Sequence, residues 1–251
     1  MGTSTSSRGP NNDSPLVPPW ADVDGGGPGP KPLPNRFQGF RTTLGRFVSS
    51  GDQASLRKAL RGYARSATGG SAVGPRRFGA MAQAGGGLYE VLNQLRADPA
   101  SAPVNFRALA GRSTREAITA IVDALIPENG DADRIRAALH EALATCLDGE
   151  EVFDFDSITE EVLMDVMVAY TAQCVFEQIV MDSDRAFTKA RTAKQAEDAE
   201  RDLLELVRAV TEKHMKPLLE HQFQAMTKEE MHSVQLAAIV EVWREWEDYQ
   251  L

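Results

Sequence analysis

The stretch SITEEVLMDVMVAYTAQCVFEQIVM, Ser157 to Met181, decides the fold class. Val162, Leu163, Val166, Met167, Tyr170, Val175, Phe176 and Ile179 put apolar side chains nearly all round a helix, the pattern of a central helix packed on several sides. Ser157-Ile158-Thr159-Glu160 has the form of a capping box, in which a hydroxyl accepts from an exposed backbone donor and a glutamate three residues on reaches back. The same form recurs in Ser113-Thr114-Arg115-Glu116, ahead of Ile118, Ile121, Val122 and Leu125, and in Thr227-Lys228-Glu229-Glu230, ahead of a helix expected from Glu229 to about Tyr249. Two more helices are expected. One runs from about Ala132 through Ile135, Leu139, Leu143 and Cys146 to a stop at Gly149; the other is long and charged, from about Asp184 to His214, with Pro217 bending or ending it. With no strand pattern and no repeat of fixed period, the chain reads as all-α, a multi-helix bundle.

Upstream the character changes. Thr68-Gly69-Gly70-Ser71 and Gly85-Gly86-Gly87 read as breaks. Between Arg36 and about Ala67 lies a basic amphipathic pattern, with Leu56, Leu60 and Tyr63 on one face and Arg57, Lys58, Arg61 and Arg65 on the others. Gly2 to Asn35 is rich in Gly, Ser, Pro and Asn, and too poor in apolar residues to repay the entropy of ordering. Three regions follow: a disordered or extended arm over 1–35, a basic, partly helical connecting region over 36–87, and an acidic helical domain over 88–251. Residues 1–80 carry 11 Lys and Arg against 4 Asp and Glu, a net of +7, whereas the remainder carries 16 against 32, a net of -16. That split implies different partners for the two parts, or attraction between them. The basic residues Arg57, Lys58, Arg61 and Arg65 therefore stand as contacts for nucleic acid, for an acidic partner, or for the chain's own acidic helices.

Several functions are excluded by pattern. Cys146 and Cys174 sit in apolar helical patterns outside any CxxC or Cys/His cluster, so they read as core thiols of a reducing compartment. No apolar run reaches the roughly 20 residues of a membrane span, and no secretory signal opens the chain, so no membrane role and a cytoplasmic location are expected. Neither glycine cluster has the lysine of a phosphate-binding loop. His214 and His221 lie about two helical turns apart, too far for one metal unless Pro217 bends the chain. Asp148, Glu150, Glu151, Asp154 and Asp156 lack the order of a calcium loop and read as a solvated connection. No nucleophile elbow is present. The chain is expected to be non-enzymatic, with no cofactor and no metal of its own, and Trp243, Trp246 and Tyr249 read as core or as a helix-docking face.

The arm holds two features. Leu16-Val17-Pro18-Pro19-Trp20 is an apolar, aromatic island suited to docking in another protein's groove or to folding back on the chain's own core. Gly2 at the second position favours trimming of Met1, leaving an unhindered amine whose ordinary pKa of about 7.7 to 8.0 keeps a usable neutral fraction near pH 7. The opening also fits an N-myristoylation pattern, which has meaning only beside a eukaryotic transferase.

Met1-Gly2-Thr3-Ser4-Thr5-Ser6, Pro15-Leu16-Val17-Pro18-Pro19-Trp20 and the Gly/Pro stretch leading to Asn35-Arg36-Phe37 resemble the QatB proteins of bacterial Qat anti-phage defence systems. The motifs cover roughly the first 40 residues. The resemblance implies a helical protein that accompanies an ATPase (QatA-like), a QueC-like enzyme (QatC) and a TatD-like nuclease. QueC-like enzymes activate the carboxylate of 7-carboxy-7-deazaguanine with ATP, and with zinc in the enzyme, and pass it to an amine. The resemblance thereby points to Gly2 as the acceptor, with Thr3, Ser4, Thr5 and Ser6 entering a narrow channel and Pro18, Pro19 and Trp20 gripping the enzyme. The rival expectation is a nucleic-acid-binding or scaffold subunit acting through the basic segment 36–77.

Overall fold

A computed structural model describes residues 14–22, 30–147, 151–220 and 223–250. Among them there is no strand, only an isolated bridge between Ser113 and Val152, and the chain is all-α as expected. The α-helices are α1 (Gln38–Ser50), α2 (Gln53–Gly62), α3 (Gly79–Ala97), α4 (Val104–Arg107), α5 (Thr114–Leu125), α6 (Ala132–Cys146), α7 (Glu160–Ser183), α8 (Ala193–Leu219) and α9 (Lys228–Glu247).

Local chemistry sets most of the boundaries. Gly51 closes α1 in the left-handed region (φ +72°), where glycine carries no Cβ penalty, and its N–H donates to the Phe47 carbonyl at 2.7 Å. Asp52 then caps α2 by accepting from the amides of Ala54 and Ser55. A π-helical turn over Tyr63–Ala67 prolongs α2 and ends where Thr68 N–H reaches back to the Tyr63 carbonyl at 3.1 Å. Gly69 and Gly70, at φ +87° and +84°, make the expected break. The boxes at Ser113 and Thr227 form with both reciprocal bonds.

Three expectations are corrected. Gly85-Gly86-Gly87 does not interrupt a helix; it lies inside α3, which runs unbroken across the expected boundary at 87/88. The glycines serve proximity instead, because α3 packs along α9 and α7 so closely that no side chain fits. A Cβ at Gly85 would meet the Gln235 amide and lie 2.6 Å from Tyr170 Cε1, and one at Gly86 would collide with the Lys228 backbone carbonyl. Second, α7 is capped by Thr159, which accepts from Val162 N–H at 3.1 Å, while Ser157 belongs to a preceding 3-10 turn and donates to the Asp154 carbonyl. Third, the long charged helix starts at Ala193 under a Thr192 cap, not at Asp184, and it contains Pro217 in its final turn. Asp184, at φ +52°, ends α7 and turns the chain into a 3-10 turn over Phe187–Lys189.

The central helix is α7, packed most extensively against α6 and α8 and touched by α1, α3 and α9. By length and composition it is apolar enough to cross a membrane, but 78% of that apolar window is buried among the other helices, which accounts for the same composition. Buried side chains from Phe37 to Trp246 form one hydrophobic core, so 36–87 contributes as fully to it as the residues after 88. Near its centre a run of aromatic contacts joins Phe40, Tyr63, Trp243 and Trp246, with successive centroids 4.8, 5.9 and 5.1 Å apart. Trp243 and Trp246 are thus core residues, with Tyr249 packed partly buried against them.

The glycine contacts make a paired prediction. Alanine is the better helix former by about 1 kcal/mol, yet Gly86→Ala forces apart a backbone contact that cannot yield, and overpacking of this kind costs about 1–3 kcal/mol. A net loss of up to about 2 kcal/mol is expected, read as a lower urea midpoint. Gly87→Ala, facing only the flexible end of Leu125 at 3.1 Å, should be near neutral or stabilising.

Candidate functional site

The described part of the arm is a strap laid on the helical body. Its Pro18–Ala21 turn closes through Ala21 N–H donating to the Pro18 carbonyl at 3.0 Å. The Trp20 indole N–H donates to Asp131 Oδ1 at 3.1 Å, at the turn between α5 and α6. The ring lies so close to Gly130 that a Cβ there would come within 2.7 Å of it. Leu16 is buried beside Gly69, and Asp22 receives a forked pair of bonds from Arg76 Nε and Nη2 at 3.2 and 2.6 Å. Arg36 Nη2 reaches the Pro15 carbonyl at 3.4 Å. Of the two alternatives for the island, this is the fold back onto the chain itself. Trp20 nevertheless keeps 46% of its surface exposed, and Pro19 is exposed beside it while Pro18 is half-buried. Gly2, Thr3, Ser4, Thr5 and Ser6 lie outside the described residues.

Beneath the strap sits a charged centre that the sequence reading missed. The Asp182 carboxylate, fully buried, accepts from Arg77 Nη1 at 2.6 Å and Nη2 at 3.2 Å, from the Tyr63 hydroxyl at 2.8 Å and from Gln178 Nε2 at 3.1 Å. Its backbone carbonyl accepts from Arg41 Nε at 2.8 Å. Burial pushes the Arg77 guanidinium down, and the Asp182 carboxylate outweighs that, leaving it above its ordinary value. Burial, and then the charge of Asp182, push the Tyr63 phenol well up, so it stays a neutral donor. Arg36 is also buried, with Nε and Nη1 unpartnered among the described residues; burial and then the nearby Arg77 charge lower its pKa. One sequence signal could have found the centre: Asp182 lies four residues after Gln178 at the end of a helix apolar nearly all round, where a carboxylate needs a partner.

The basic contacts are brought together. Leu56, Leu60 and Tyr63 face inward, as expected, while Arg57, Lys58 and Arg65 are exposed and Arg61 partly so on the other side. Among the described residues none of these four cations has a carboxylate within 4.0 Å, and Arg57 lies 5.9 Å from the Tyr249 ring. The remaining candidates stay apart or prove structural. His214 Nε2 meets Glu245 Oε2 at 2.7 Å beside Lys213 Nζ at 2.8 Å, an ion cluster joining α8 to α9; His221 lies outside the described residues. Asp154 caps the 3-10 turn that follows it, and Asp148 and Glu150 lie outside the described residues. Among the described residues no group of His, Cys, Asp and Glu is placed to hold a metal. Cys174 is a core thiol pushed up to about 12 by burial. A groove of about 250 Å³ between α6 and α8 has Ala142, Ala169 and Ala172 on its floor and Arg201, Arg208, Glu141 and Glu205 at its rim.

Two measurements test this geometry. Asp182→Ala leaves the buried Arg77 guanidinium uncompensated, so a loss of about 3–5 kcal/mol in urea unfolding is expected. Asp182→Asn should lose less, keeping some of the hydrogen bonds. At Glu245, burial pushes the carboxyl up, but its bonds to Lys213 and His214 prevail and hold it below its ordinary value. A depressed folded-state pKa gives stability that is present above the unfolded value of about 4.3 and is lost as pH falls through the folded value. Glu245→Gln should therefore lose at most about 1 kcal/mol at pH 7, because Lys213 is solvent-screened. Its stability should converge on the unsubstituted protein's as the pH falls through that depressed folded value.

No curated protein and no solved structure matches this chain. The family model described as Qat anti-phage system associated protein QatB matches residues 69–245, a span that includes Arg77, Asp182 and Trp243 and begins downstream of the arm motifs. The match covers well over half of the sequence and rests on the helical body, independently of the N-terminal motifs: the chain belongs to the QatB family, associated with the Qat anti-phage system.

Proposed function

We propose that this anti-phage component works without an active site, as partner and substrate of a QueC-like enzyme that conjugates a 7-deazaguanine base to the amine of Gly2 once Met1 is removed. The observation that carries the reading is the strap. Trp20 on Asp131, Leu16 beside Gly69 and Asp22 on Arg76 tie the arm to a rigid body, so the residues ahead of Ser14 have a fixed root. Even fully extended, the chain from Ser14 to Gly2 reaches only about 40 Å, so an enzyme that takes the amine must dock within that radius. The outer face of Trp20, with Pro19, supplies an exposed apolar contact at the root.

The chemistry balances with the partner's ATP. The enzyme forms an acyl adenylate from the deazaguanine carboxylate and releases pyrophosphate. The neutral Gly2 amine then attacks the acyl carbon, the C–O bond to AMP breaks, an amide forms, and the amine's proton passes to base or solvent. Glycine presents the least hindered amine for this attack, and Thr3, Ser4, Thr5 and Ser6 are small enough to follow it into a narrow channel. ATP and zinc belong to the enzyme in this scheme, and the cytoplasm supplies both reactants. The ATPase and nuclease of the system are further partners of the assembled complex.

Intact-protein mass spectrometry after co-expression with the QueC-like enzyme and its deazaguanine precursor tests the reading. The expected product lacks Met1 and carries one deazaguanine acyl group, located on Gly2 by fragmentation. An unmodified N-terminus with enzyme and precursor both present would refute it.

A further inference from the structure

We propose that the solvent face of α2 and the π turn after it is a binding site for the phosphate backbone of a nucleic acid, with Arg57, Lys58, Arg61 and Arg65 as its contacts. The four side chains fall within roughly a 100° arc of the helix, opposite Leu56, Leu60 and Tyr63. The π turn sharpens the alignment. Its i to i+5 bond from Thr68 to Tyr63 widens the coil, so Arg65 is carried back over Arg61 rather than past it. Arg57, Arg61 and Arg65 then form one row with a step of about 6 Å, comparable to the spacing of successive phosphates along a strand.

The face is also rigid and uncompensated. Leu56, Leu60 and Tyr63 are fully buried beneath it, and Tyr63 is bonded to Asp182. On α8 and α9, by contrast, most cations meet a carboxylate: Arg201 meets Asp198, Lys213 meets Glu245, Lys216 meets Glu212 and Arg244 meets Glu241. In a chain of net charge -9, four cations in one short row without a carboxylate partner among the described residues concentrate positive charge on a single helix face. A row with a regular repeat fits a polymer of regular charge better than a folded acidic protein, whose carboxylates have no fixed spacing. Three of the four are arginines, whose planar forks suit phosphate oxygens.

Fluorescence anisotropy of the full chain with a labelled 20-base-pair DNA duplex tests the site, with a 20-nucleotide single strand and poly-glutamate as competitors. If all four cations engage phosphates, the affinity falls with salt at a log–log slope of about -3.6, roughly tenfold for each doubling of salt. The fourfold variant Arg57→Gln, Lys58→Gln, Arg61→Gln, Arg65→Gln should abolish that binding without moving the unfolding midpoint by more than a few degrees. Arg107→Gln, Arg112→Gln, Arg115→Gln, which neutralises three exposed arginines elsewhere, should retain it. Absence of binding by the unsubstituted chain at low salt would overturn the proposal, as would equal loss in both variants. Competition by poly-glutamate as effective as DNA at equal charge would assign the face to an acidic protein and overturn it too.

Discussion

Asp182 is the interaction centre on which the rest of the structure depends, because donors from several distant segments converge on it with fixed geometry. The turn carrying Arg77, the π turn carrying Tyr63, the N-terminal part of α1 through Arg41, and the end of α7 all direct donors at this residue. A buried ion pair of this kind adds little net stability over a well-packed apolar substitute, since the desolvation of both charges offsets their attraction. Its consequence is registration. The carboxylate accepts only along certain directions, so the basic N-terminal segments can pack against α7 in one arrangement, and that arrangement positions both the strap and the cationic face of α2.

That registration explains how the two charge-separated parts of the chain belong together. The net positive N-terminal third is not held to the acidic helices by a general attraction across the surface. The buried Arg77–Asp182 pair and the Arg41–Asp184 contact at 3.9 Å cross between the two parts, Arg76 is taken up by Asp22 within the N-terminal part itself, and the α2 cations are left facing solvent. Gly69, Gly70 and Gly130 serve the same arrangement, the first two by turning the chain under Leu16 and the last by making room for the Trp20 ring.

The helices were legible where local chemistry writes them. The boxes at Ser113 and Thr227, the amphipathic spacing of Leu56, Leu60 and Tyr63, and the all-round apolarity of α7 each depend on neighbours in sequence, and each reads correctly. The sequence pattern failed where a distant segment decides. Gly85-Gly86-Gly87 has the local signature of a break, and only the approach of α9 and α7 shows that the residues are small for packing. Thr159 rather than Ser157 caps α7 because the chain from Asp154 is already committed to a 3-10 turn. Within the site, Trp20 read equally well as a ligand for another protein or for its own, since nothing near it in sequence reveals Gly130 and Asp131. Asp182 at the end of an apolar helix signalled the need for a partner, but Arg77, 105 residues away, could not be identified as that partner from spacing.

If Gly2 is the modified amine, as proposed, the helical body serves to anchor and position, and the residues ahead of the strap carry the function. A plaque assay on cells carrying the complete defence system, with residues 2–13 deleted from this chain and 14–251 retained, addresses that division most directly. Under that division of labour, protection against phage is lost while the shortened protein keeps its helical circular dichroism and its unfolding midpoint. Full protection by a chain without those residues would contradict it.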